Sequence, residues 1–146
     1  MKSIHKNFEI KSRGLFMNKD YPFLQATPDF LTSCDCCGLG CREVKCPLNL
    51  TNGDFQKYAT LKQSCIEVKD GSFALKPDHS YYFQVQQQLF TLQERAFNDF
   101  VVYGIDSENS AHLLIESIYL QIQHMDRVLP SIRFISRGWH VIDIDD

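Results

Sequence analysis

The chain has 146 residues, 44% of them apolar and 23% charged, which suits one soluble globular domain with a buried core. Its formal net charge of −3 excludes a protein that coats nucleic acid through bulk positive charge, so any such contact has to be local, in a groove or through bridging cations. No apolar run reaches the roughly 18 residues of a membrane helix, and "MKSIHKNFEI" lacks the apolar stretch of a signal peptide, so we expect an intracellular chain, nuclear or cytoplasmic, with no membrane contact.

The first 33 residues read as extended. "FEIKSRGLF" (Phe8 to Phe16) and "PFLQATPDFLT" (Pro22 to Thr32) carry short apolar clusters without helical spacing, and "MNKDYP" between them has turn chemistry. "CDCCGLGC" suits a turn, and "CREVKCP" reads as a strand ending at Pro47, so a β-hairpin with cysteines at its tip is predicted. Asp54 caps a short helix in "NGDFQKYATLKQSC", and "CIEVKDGSFALK" is a hairpin around Asp70-Gly71. Tyr82, Val85, Leu89 and Leu92 repeat at helical spacing, which predicts a helix over Asp78 to Gln93 with Asp78 as its cap. "DFVVYGI" is a buried strand, and "AHLLIESIYLQIQHM" fits helix or strand. Strands, then a helix, then a strand indicate an α/β or α+β domain with a mixed sheet flanked by helices.

Three residues in this frame carry chemistry. Glu43 and Lys45 are two apart on a strand and share a face. Asp29 lies on the preceding strand, where a hairpin brings its carboxylate toward Glu43. Two carboxylates and the Val44 carbonyl suit a hard divalent cation, and Lys45 can orient a water or offset charge on a phosphate. The plainer reading of Glu-x-Lys is a solvated cross-strand charge pair. In the helix, Gln84 and Gln88 are i, i+4 and share a face, either as polar surface or as amides beside the metal.

In this order and spacing, "TPD", "EVKCP", "YYFQVQQQLF" and "DFVVY" resemble the YqaJ-type viral recombinase family, which is similar to phage lambda exonuclease and belongs to the PD-(D/E)xK nucleases. The resemblance covers roughly residues 14 to 103 of a single domain. It implies a restriction-endonuclease-like core, with Asp29, Glu43 and the Val44 carbonyl as metal ligands, Lys45 as the catalytic lysine and Gln84 beside the site. Gln86 and Tyr82 are secondary candidates for positioning substrate. The implied reaction is Mg²⁺- or Mn²⁺-dependent hydrolysis of DNA from an end, and lambda exonuclease suggests a toroidal homo-oligomer. Phe30 replaces the family's usual glycine, Thr27 a serine and Tyr103 a tryptophan. The family's N-terminal helices, one of which supplies a further glutamate, are expected to be missing here. That would leave apolar surface for a protein partner or a second copy.

Of the six cysteines, Cys34, Cys36, Cys37, Cys41 and Cys46 fall within 13 residues. Cys34, Cys36, Cys37 and Cys41 could hold Zn²⁺, but Cys36 and Cys37 would diverge on an extended strand, and zinc is not favoured on that pattern. Cys46 reads as a small apolar residue. The five histidines read as surface or capping residues, with His79 the one nearest the site, and Trp139 as packing. Arg127, Arg133 and Arg137 read as a solvated face, with contact to the DNA backbone as the other reading. Two readings stand beside the exonuclease: a catalytically degenerate nuclease fold that binds DNA or a protein, and a zinc-binding interaction module.

Overall fold

A computed structural model describes residues 5–12 and 14–123. The sequence expectations for His124, Arg127, Arg133, Arg137, Trp139 and His140 lie outside this range. The elements in chain order are β1 (Glu9–Lys11), β2 (Phe16–Met17), β3 (Gln25–Ala26), β4 (Phe30–Cys34), β5 (Gly38–Lys45), α1 (Phe55–Ala59), β6 (Ile66–Lys69), β7 (Ser72–Leu75), α2 (Ser80–Thr91), β8 (Phe97–Ile105) and β9 (Ala111–Tyr119). Among the described residues no helix is long and apolar enough to cross a membrane.

Five strands form one mixed sheet in the order β1-β4-β5-β8-β9, as the α+β expectation requires. All neighbours are antiparallel except β5 and β8, which run parallel. A parallel pair needs a crossover, and that crossover holds α1, the β6–β7 hairpin and α2. The hairpin turns at Asp70 (φ 51°) and Gly71 (φ 78°), the left-handed pair that a two-residue turn demands. "AHLLIESIY" resolves as a strand. Its alternating burial matches a half-covered sheet face rather than a helix.

Helix α2 covers one face of the sheet. Val85 and Leu89 are buried with Cys41, Phe100, Val102 and Ile118 from the strands beneath. The helix is shorter than predicted, and its cap is His79 rather than Asp78, with the His79 side chain accepting from the Tyr81 N–H. Asp54 caps α1 as expected, accepting from the Lys57 N–H at 3.0 Å. Strand pleating puts Cys41, Glu43 and Lys45 under α2 and turns Gly40, Arg42 and Val44 to the other face.

Candidate active site

The β4–β5 register runs from Cys34 opposite Gly38 to Phe30 opposite Arg42. Asp29 is the residue just before β4, next to the last pair of this register. The exposed Asp29 carboxylate bends back and its Oδ2 accepts the Val44 N–H at 2.8 Å. The hairpin therefore brings the Asp29 carboxylate to the Glu43–Val44 peptide.

Glu43 is only 3% exposed. A carboxylate buried this deeply needs donors on its oxygens. Oε1 accepts Lys45 Nζ at 2.7 Å and Gln84 Nε2 at 2.9 Å, and Oε2 accepts Gln88 Nε2 at 2.8 Å. The Lys45 ammonium also sits 4.5 Å from the centre of the Tyr81 ring, a cation–π contact that fixes its direction. His79 packs on Tyr81 with ring centres 4.6 Å apart.

Gln88 was visible in the sequence only as a partner of Gln84 at i, i+4, yet it carries more of the network. It is buried, and its Oε1 accepts from Asn98 Nδ2 at 2.7 Å. Asn98 also donates to Cys41 Sγ at 3.3 Å. Helix and sheet thus clamp Glu43 in one rotamer through a chain of amides. Gln86 does something else. Its Nε2 donates to the Tyr119 carbonyl at 3.0 Å and its Oε1 accepts the Gln121 N–H at 2.7 Å, so it ties α2 to the end of β9. Tyr82 packs at the edge of the core, where burial, with Glu116 nearby, raises its pKa.

The cysteines divide differently from the sequence expectation. Cys41 is fully buried under α2, and burial pushes its thiol up to about 12. It lies on the α2 face of the sheet, away from the cysteine turn. Cys34, Cys36 and Cys37 do come together, and the fourth member is His5, read from sequence as a surface or capping residue. Residues 35–37 form a turn rather than extended strand, so the divergence expected of Cys36 and Cys37 does not arise. A backbone hydrogen bond from Lys6, then the His5 and Cys34 side chains, hold Cys36 down at about 6. Cys34 and Cys36 push Cys37 up to about 12.

A model of the YqaJ-like viral recombinase domain matches residues 4–94. An alkaline exonuclease from Laribacter hongkongensis superposes with a TM-score of 0.55 at 18% identity, over 92% of this chain and 64% of that one. The chain thus spans less than two thirds of that exonuclease, and at this identity the likeness speaks for the fold. No curated protein matches. The family match extends from the N-terminal segment through the Asp29–Glu43–Lys45 hairpin and all of the glutamine helix, and on that span the chain belongs to the YqaJ-like viral recombinase domain family.

Proposed function

We propose that this domain hydrolyses DNA phosphodiester bonds from an end, in a reaction that depends on Mg²⁺ or Mn²⁺. The observation that carries this reading is the buried Glu43 carboxylate, clamped by Lys45, Gln84 and Gln88, with exposed Asp29 bonded to the neighbouring Val44 N–H. Membership of a viral recombinase family and a fold shared with an alkaline exonuclease support it.

The donor set fits the ion. Asp29, Glu43 and the Val44 carbonyl are hard oxygen ligands, and such sites are completed by waters and substrate phosphate oxygens. A bound cation would supply Lewis acidity at the phosphoryl oxygen and a more acidic water. The protein's own residues do the rest. Lys45 Nζ, aimed by Glu43 and the Tyr81 face, places positive charge where hydrolysis builds negative charge on the phosphate. Gln84 and Gln88 keep the carboxylate from swinging, so the oxygen ligands are held before substrate arrives.

A second reading draws on β9. Leu113, Ile115 and Tyr119 are each more than half exposed and alternate along one sheet face. Such a stripe favours a partner protein or a second copy, which a degenerate nuclease fold would also use.

Digestion of end-labelled linear duplex DNA by the purified chain, with Mg²⁺, Mn²⁺ or EDTA and beside Glu43→Ala, separates the two. Metal-dependent loss of label that vanishes in the variant supports the exonuclease. A folded chain that binds DNA without shortening it, in any metal, overturns it in favour of the binding module.

A further inference from the structure

We propose that His5, Cys34, Cys36 and Cys37 form a structural zinc site that fastens the N-terminal segment to the β4–β5 hairpin. The four ligand atoms lie within 4.8 Å of one another. His5 Nδ1 is 3.5, 3.3 and 3.5 Å from the sulfurs of Cys34, Cys36 and Cys37. Cys36 Sγ is 3.4 Å from Cys34 Sγ and 3.6 Å from Cys37 Sγ. Zinc with Zn–S near 2.3 Å and Zn–N near 2.0–2.1 Å gives a tetrahedron whose edges are about 3.6–3.8 Å. These five edges lie within a few tenths of an ångström of that figure, and the sixth, between Cys34 and Cys37, is within 4.8 Å. Hydrogen bonding alone is a poor reason for the assembly, because thiols are weak donors and weak acceptors.

The local backbone is built for thiolates. Cys34 and Cys37 have the Cys-x₂-Cys spacing of a zinc knuckle. The Cys37 N–H turns back to donate to Cys34 Sγ at 3.2 Å. Gly38 follows at φ 81°, a conformation that lets the turn re-enter β5 without a Cβ clash. The histidine is delivered from far along the chain. β1 pairs with β4, the Asp35 N–H donates to the Lys6 carbonyl at 2.9 Å, and Asn7 Nδ2 donates to Asp35 Oδ2 at 2.7 Å. These contacts lay residues 5–7 over the cysteine turn.

Ligand chemistry selects the ion. Three sulfurs and an imidazole favour zinc over Mg²⁺ or Mn²⁺, so this site and the Asp29–Glu43 pair do not compete for one cation. Their positions agree. Cys34 shares its sheet face with Arg42, opposite the face that carries Glu43. The site therefore has a structural job. β1 has three residues, all exposed, and little apolar area to hold it; a metal supplies what a small strand cannot.

The test is metal content and cobalt spectroscopy on the reduced, purified full chain. We expect one zinc per chain surviving gel filtration. Replacement by Co²⁺ should give tetrahedral d–d bands and a sulfur-to-cobalt charge-transfer band. Cys36→Ser with Cys37→Ser should abolish that band, while Cys46→Ser should keep it. His5→Ala should weaken zinc in chelator competition by more than the roughly 10–100-fold that losing a ligand's supporting hydrogen bond costs. If the double variant fails to fold, the wild-type spectrum and His5→Ala still decide. A folded, reduced chain with no zinc and no charge-transfer band overturns the proposal. So does zinc that persists undiminished in the cysteine variants, which would place the ion at the carboxylates.

Discussion

At the scale of single residues, the Glu43 network makes stability and chemistry separable. Glu43 and Lys45 form an ion pair whose carboxylate is nearly inaccessible. Removing one member of such a pair typically costs about 3–5 kcal/mol, because a charge stays behind unpaired. Lys45→Met should cost about 3 kcal/mol, since Gln84 and Gln88 still donate to the carboxylate. Glu43→Gln keeps the shape and should cost about 1–3 kcal/mol. The double variant should cost less than the sum, since each change removes the reason the other hurts. Urea denaturation of the four proteins measures this coupling, and strictly additive losses would mean that the pair is not energetically linked. Both single variants should lose DNA digestion, although the pair's charge is only half missing in each.

At the scale of elements, α2 depends on an unusual cap. His79 accepts the Tyr81 N–H through Nδ1, which requires that nitrogen to be unprotonated. Burial, followed by the Lys76 charge, lowers its pKa below the ordinary 6.5, and Asp78 opposes the shift. The unfolded chain then binds the proton more readily than the folded one. Stability is present above 6.5 and is lost as pH falls through the folded value. His79→Asn caps at either pH, so its unfolding midpoint should fall less than the wild type's between about pH 7 and about pH 5. His79→Ala should cost about 1 kcal/mol at neutral pH. Equal acid sensitivity of wild type and His79→Asn would remove the cap from the account. This cap also shows where the sequence could and could not be read. Strands β4 to β8 were legible because alternation and turn residues are local signals, whereas β9 read equally as helix or strand. Glu43 and Lys45 were legible for the same reason. Asp78 after Pro77 looked like the better cap, and only the fold shows that the helix starts later. Gln88 stayed open between polar surface and an amide beside the site, because the carboxylate that pulls it inward is 45 residues away. His5 was unreadable as a ligand for the same kind of reason, since it reaches Cys34 across a strand pairing 29 residues long in sequence.

At the scale of the whole molecule, the five-stranded sheet separates hard from soft chemistry. The face under α2 holds the Glu43 carboxylate, and the hairpin tip on the other side gathers sulfur. Charge sets how the first of these can meet DNA. With 15 Lys and Arg against 18 Asp and Glu, the chain has no excess of cations to release counterions along a duplex. Each phosphate neutralised by protein contributes a slope of about −0.9 in log K against log salt. We expect a shallow slope, no steeper than about −3, and, on the proposed function, binding that strengthens when a divalent ion is added, since Asp29 and Glu43 would hold it. Fluorescence anisotropy with labelled duplex, in Ca²⁺ to suppress cleavage, measures both quantities. Asp29→Ala should weaken the cation-dependent part and leave the salt slope unchanged, since the slope counts lysines and arginines while Asp29 counts only through the ion. A slope steeper than about −5 would instead require a basic surface larger than Lys45 and its neighbours provide, and would turn attention to Arg127, Arg133 and Arg137.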